Sequence, residues 1–295
     1  MGIFDDIKRS FYRGSSLTQL IYINVGVFIF ISLAAITGFL LTNNLIYETT
    51  VKFLAVPASI QGLALKPWTI ITYMFLHKDI WHILFNMLWL YWFGTIFLNI
   101  LDQRKLVAVY LIGGIFGAIL YIVSFNIFPA FKEIVNESVA IGASASVMAV
   151  VVAIAAYTPD YSIRLFLFGR VKIKYMALAI LILTSFMDFS VNSGGKLAHI
   201  GGAAFGYVYA INLKQGHDLG KGINKIIDFF ATLFKPRKKL KVKYKRPVND
   251  YEYNKVKTDR QAKIDAILDK ISKGGYDSLT KEEKDTLFRE SQNIN

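Results

Sequence analysis

An all-α membrane protein, a bundle of six membrane-spanning helices with a small cytoplasmic helical C-terminal tail, is what this sequence predicts. Three observations lead there. Hydrophobic residues make up 54% of the 295 positions and charged ones only 19%, whereas a soluble domain carries about a quarter charged residues. The charge crowds into the last third, so an apolar two-thirds is followed by a basic tail. The apolar part is divided into stretches near the roughly 20 residues that a helix needs to cross the hydrocarbon core.

The first span covers residues 17–41, the second 81–98 and the third 106–128. The fourth, 142–157, the fifth, 175–189, and the sixth, 198–213, are shorter and rich in small residues, which suits helices buried in a bundle. This gives a cytoplasmic N-terminal segment (1–16), a six-helix domain (17–213), a basic juxtamembrane linker (214–258) and a helical hairpin (259–295). Residues 1–18 are polar and mixed in charge, so no cleavable leader is expected.

Charge sets the orientation. Lys8, Arg9 and Arg13 precede span one, Arg104 and Lys105 separate spans two and three, and Arg164, Arg170, Lys172 and Lys174 separate four and five. The alternate loops carry fewer basic residues, which places both termini in the cytoplasm. Spans two, four and six then begin on the outer side. The first loop, 42–80, is too apolar for a solvated connection and reads as a segment lying in the outer leaflet.

With 0 cysteines, disulfides and thiolate metal sites are excluded. His77 and His82 are five apart, outside HExxH spacing, so no metal or cofactor is expected. His77 is expected at the membrane interface and His217 in solvent.

Polar groups within spans are costly and point to function. His82 and Asn86 open span two at i, i+4, on one helix face. Ser144 stands in Gly142-Ala143-Ser144-Ala145-Ser146 at the start of span four, and His199 follows Ala198 at the start of span six. Ala198, Gly202 and Gly206 recur every four residues, a face that lets helix backbones approach closely. Gly142, Ser146, Ala149, Ala153 and Ala156 give span four a similar narrow side. If these sides pack, Ser144 and His199 meet.

The chemistry would then have its parts. A serine hydroxyl needs a base, and His199 can take its proton and return it to the leaving amine. An oxyanion needs donors, available from Asn86, His82 and the Ser144 backbone N–H. No acid orients His199, so a dyad is expected rather than a triad. Each residue alone has a plainer reading, since serine in a membrane helix usually bonds a neighbouring helix. The coincidence of three such stretches on one side argues for a site.

In these residues the sequence resembles the rhomboid family of intramembrane serine proteases. The family pattern H-x-x-x-N, G-x-S-x and A-H-x-x-G-x-x-x-G matches His82–Asn86, Gly142–Ala145 and Ala198–Gly206, and the segment Pro67–His77 resembles the family's lead into its second helix. The resemblance spans about residues 15–215. It implies six helices around a water-filled cavity open to the outside, with Ser144 as nucleophile, His199 as base, and His82 and Asn86 as oxyanion partners. It implies single-pass membrane proteins as substrates, cut in or near the membrane. It also implies gating by the fifth helix and the cap around 186–195, and the first loop as a membrane-embedded extension. Ala145 stands where many members have glycine, Met148 where an aromatic residue is frequent, and no tryptophan–arginine pair is evident in the first loop. None of these departures removes a catalytic group.

The alternative is a non-catalytic rhomboid-like protein that binds or escorts single-span clients. A transporter is disfavoured, for no inverted repeat or paired intramembrane charge is evident. In the tail, residues 235–246 form a polybasic run suited to anionic lipids; no nucleic-acid motif is present. Ile264, Ile267, Leu268 and Ile271 fit one helix face, Gly274-Gly275 ends that helix, and Thr280–Glu283 reads as a capping box before a second helix. The absence of cysteine and of an organellar targeting segment favours a bacterial plasma (inner) membrane.

Overall fold

The chain opens with a short amphipathic helix, α1 (Ile3–Arg13), and turns at Gly14-Ser15 into α2 (Ser16–Leu40). Ser15 caps α2 by accepting from the Thr18 N–H. The computed structural model describes residues 2–165, 169–187, 189–233 and 249–291. It divides into two units, residues 1–234 and 235–295.

The first loop is built rather than slack. It holds α3 (Leu45–Leu54), the two-residue strand β1 (Val56–Pro57), α4 (Ile60–Leu65), α5 (Thr69–Thr72) and a 3-10 turn (Tyr73–Phe75). No residue of α3 is buried, and Leu45 and Phe53 are exposed. The Trp68 indole donates to the Phe53 carbonyl at 2.9 Å and ties the loop back on itself.

Two caps then set the next helices. Asp79 accepts from the His82 N–H at 2.9 Å and starts α6 (Ile80–Ile100); Asp102 accepts from the Lys105 N–H at 2.9 Å and starts α7 (Gln103–Ile127). After a 3-10 turn (Pro129–Phe131) the chain returns to pair β2 (Val139–Ala140) antiparallel with β1, Val56 opposite Ala140 and Pro57 opposite Val139. This small ladder delivers the chain to α8 (Ser144–Tyr157).

A hairpin of β3 (Ser162–Leu165) and β4 (Gly169–Lys172) leads to α9 (Ile173–Ser185). α10 (Ser193–Lys214) follows, capped by Asn192 in the left-handed region, and α11 (Lys221–Leu233) closes the unit. The hairpin lies where the sequence suggested a plain basic loop, and α11 occupies part of the stretch read as a linker.

Helix α8 is the core, buried along most of its length from Ala145 to Ala155. α7 and α10 pack on it through glycines. A Cβ at Gly202 would collide with the Ala145 carbonyl oxygen, and one at Gly206 with that of Ala149. Both pairings advance together, so α8 and α10 run parallel. Ala145 and Ala149 present their backbone to α10 and their methyl groups to Gly117 and Gly113 of α7; Ser146, expected on the face toward α10, turns to Gly114 of α7. α2, α6 and α7 are long and apolar enough to cross a membrane, and α8 and α9 are shorter apolar helices.

In the second unit α12 (Asp250–Gly274) joins α13 (Lys281–Ser291) through a 3-10 turn (Tyr276–Ser278). α12 begins at Asp250 rather than at 259. Ile267 and Leu279 are its buried apolar residues, whereas Leu268 is 49% exposed and leaves the expected face. Gly275, with φ at +72°, ends α12, and its N–H donates to the Ile271 carbonyl at 2.8 Å. The polybasic run at 235–246 lies outside the described residues.

Candidate active site

The site forms where α6, α8 and α10 begin. Gly142 has φ at +132°, which glycine alone adopts readily. Its N–H donates to the Tyr73 carbonyl at 2.9 Å, fixing the turn into α8. A Cβ there would lie 3.0 Å from both Cε1 and Nε2 of His82 and 3.5 Å from Ser144 Oγ. The His82 ring edge and the Ser144 hydroxyl thus border the same small volume, kept open by the glycine.

Ser144 is half-buried in the first turn of α8. The first intrahelical bond there runs from Val147 N–H to the Ala143 carbonyl at 2.9 Å. The N–H groups of Ser144, Ala145 and Ser146 precede it and have no acceptor within the helix. They supply donors and the positive end of a helix dipole beside the hydroxyl.

Each of the two histidines has a backbone group against its Nδ1. Lys78 N–H donates to His82 Nδ1 at 3.4 Å, a long bond that leaves the proton of a neutral ring on Nε2, the atom facing Gly142. His199 Nδ1 lies 3.2 Å from the Thr184 carbonyl of α9, which can only accept. A neutral His199 that donates there carries its proton on Nδ1 and keeps a lone pair on Nε2. One imidazole is set up as donor and the other as acceptor.

His199 sits on α10 three residues before Gly202, on the helix that Gly202 presses against Ala145 beside Ser144. The parallel register brings the two residues to the same end of the bundle. Among the described residues no hydrogen bond joins Ser144 to His199. In enzymes without bound substrate such bonds are often long and close only in the complex.

Asn86 is buried and donates to the His82 carbonyl at 2.9 Å. One N–H of its amide is used on its own helix and the other remains for an acceptor. Ala198 is buried against α7, its carbonyl oxygen 2.8 Å from where a Gly117 Cβ would stand. His82 also lines a cavity of about 570 Å³, with Tyr121, Ala140, Ile141, Asn192 and Gly194.

Two features of the site had no signal in the sequence. The Thr184 carbonyl is a backbone group that every residue type carries. His77, expected at the membrane interface, is 4% exposed, with neither ring nitrogen hydrogen-bonded and its ring edge-on to His82 at 5.1 Å. The segment between α5 and α6 folds inward and takes it along. Among the described residues no cluster of three His, Asp or Glu side chains could hold a metal ion.

Residues 249–293 match a family of unknown function (DUF6576). No curated protein matches the chain. Residues 64–215, which include His82, Asn86, Ser144 and His199, match the Rhomboid domain. That match covers just over half of the chain and takes in the start of α8, the glycine-packed α10 and both histidines: the chain belongs to the rhomboid family.

Proposed function

We propose that the protein is an intramembrane serine endopeptidase that hydrolyses peptide bonds in or near the transmembrane segments of single-pass membrane proteins. The observation that carries this reading is the placing of His82 Nδ1 against the Lys78 N–H and of His199 Nδ1 against the Thr184 carbonyl, contacts that favour opposite tautomers, at the same end of the bundle as Ser144.

In this mechanism Ser144 Oγ attacks the scissile carbonyl and its proton passes to His199 Nε2. The negative charge on the carbonyl oxygen meets the His82 Nε2–H, the free Asn86 amide N–H and first-turn N–H groups of α8. His199 gives the proton to the departing amine, and the acyl-enzyme forms on Ser144. Water then attacks the ester, with His199 again the base. No metal or cofactor takes part.

Six spans carry the site: α2, α6, α7, α8, α9 and α10. Both termini lie in the cytoplasm of a bacterial cell, with the site open to the other side of the plasma membrane. The basic segment after α11 meets anionic lipids. Family membership supports the protease reading; it equally admits a member that only binds clients, which the unformed Ser144–His199 bond would suit.

A fluorophosphonate probe separates the two. Labelling of the folded protein in detergent, lost in both Ser144→Ala and His199→Ala, is expected. Persistent labelling in Ser144→Ala, or none in the folded intact protein, overturns the dyad.

A further inference from the structure

We propose that α1 and α11 lie in the plane of the membrane at the end of the bundle opposite the site, apolar faces against lipid and basic residues toward anionic headgroups. Both helices are amphipathic. On α1, Phe4, Ile7 and Phe11 share one face and Asp6, Arg9 and Arg13 the other. On α11, Ile223, Ile226 and Ile227 share a face opposite Lys221 and Asn224. Phe11, Ile223 and Ile227 are half-buried, but Phe4 is 87% exposed and Ile226 is 53% exposed, so the bundle leaves the outer part of each face uncovered.

What covers them follows from where the helices are held. Only Gly14 and Ser15 separate α1 from the lipid-facing α2, a reach of about 7 Å. Tyr22 Oη donates to Ser10 Oγ at 3.2 Å and Gln19 Nε2 to the Phe11 carbonyl at 3.2 Å, which pins α1 beside the first turns of α2. At the start of α11, a Cβ at Gly220 would lie 2.7 Å from the Ala108 side chain, and Tyr209 Oη donates to Asp218 at 3.1 Å. Ala108 is about 7 Å along α7 from its start. Arg104 then pairs with Asp228 at 3.2 Å and turns the polar face of α11 toward the α7 terminus.

The two helices share one end of the molecule. Ser16 N–H donates to the Gln103 side chain at 2.8 Å, which sets the starts of α2 and α7 side by side. His82 lies at the other end of α6, about 27 Å from Ile100 by helical rise. That is close to the thickness of a hydrocarbon core. α1 and α11 therefore stand at the boundary where acyl chains give way to headgroups. Lys8, Arg9, Arg13, Lys214, Lys221 and Lys225 concentrate basic charge on this end. An interfacial helix pair of this kind gains from both the apolar contact and the anionic surface.

The chain has 0 cysteines, so single ones can be placed at will. Nitroxide labels would be attached to Phe4→Cys and Ile226→Cys, and to Arg9→Cys and Lys225→Cys on the polar sides, in protein reconstituted into phosphatidylglycerol-containing vesicles. The ratio of oxygen to water-soluble nickel chelate collision is expected to be several-fold higher at 4 and 226 than at 9 and 225. In phosphatidylcholine alone that contrast should shrink. Equal nickel access at all four positions overturns the proposal by leaving the faces in water. Shielding of 4 and 226 from both reagents overturns it by assigning them to protein. The readout needs no catalysis, so it stands apart from the test of the dyad.

Discussion

At Gly142 the backbone holds φ at +132° while the His82 ring edge occupies the space a side chain would need, 3.0 Å from the missing Cβ. Two demands therefore fall on one residue. Alanine there meets a backbone strain of about 1–3 kcal/mol and pushes the His82 imidazole off the volume it shares with Ser144. Gly142→Ala is expected to stay folded by circular dichroism yet lose roughly 100-fold in fluorophosphonate labelling rate, the scale of a lost oxyanion donor. Unchanged labelling would show that the ring is not needed where it stands. The candidate side chains could be picked out in the sequence because each carries its chemistry itself and recurs at helical spacing: His82 with Asn86, His199 with Gly202. The backbone groups against the two rings could not. Lys78 N–H and the Thr184 carbonyl belong to the backbone, and only the folded path of the chain brings them to the rings.

Helix contacts divide the glycines into those that pack and those that do not. Gly202 presses on the Ala145 backbone, with a would-be Cβ 2.8 Å from its carbonyl carbon, and backbone cannot rotate away as a side chain can. Gly202→Val should force α10 off α8, cost about 1–3 kcal/mol or more, and lower the unfolding midpoint in detergent. Gly26 in α2 has nothing within 4 Å, so Gly26→Val should leave that midpoint nearly unchanged. Equal effects would mean that close approach of α8 and α10 is not what holds the bundle. The second unit depends on a capping box that the sequence did announce. Thr280 N–H donates to Glu283 at 2.7 Å, Glu283 N–H donates to Thr280 Oγ1 at 3.3 Å, and Lys270 pairs with Glu283 at 2.9 Å. The Thr280 N–H, with Lys270 beside it, holds the Glu283 carboxyl below its ordinary value. A carboxylate shifted down on folding stabilises above the unfolded pKa, about 4.3, and that support is lost as pH falls through the lower folded value. Amide exchange around 280–284, corrected for intrinsic rates, should accelerate on acidification in that range, and Glu283→Gln should abolish the pH dependence. Protection that ignores pH in the intact chain would sink this. The β3–β4 hairpin, by contrast, was hidden. Ser162–Leu165 and Gly169–Lys172 are four-residue strands among charges, too short to stand out from a basic loop.

The bundle as a whole is uneven in length, and the unevenness places the chemistry. α8 has 14 residues, about 21 Å by helical rise, against a hydrocarbon core of about 30 Å. Since α8 is wrapped by its neighbours, lipid thickness does not dictate its length. Its far end is level with the start of α9, where Asp160 pairs with Lys172 at 2.8 Å and Lys174 at 3.2 Å, charges that belong at a membrane surface. On the proposed function, a helix anchored there and too short to reach across would put Ser144 below the opposite surface, and an opening such as the cavity beside His82 would have to admit water. The six-span topology proposed above has an even number of crossings and hence both termini on one side. Lys132 follows the end of α7, on the face of the bundle where α8 starts, whereas Lys8 precedes α2. A membrane-impermeant maleimide applied to intact cells should label Lys132→Cys and spare Lys8→Cys and Lys281→Cys until the membrane is permeabilised. Labelling of only one of the two terminal positions would mean an odd number of spans, and the three-helix core of α7, α8 and α10 would then have to enter the bilayer in some other way.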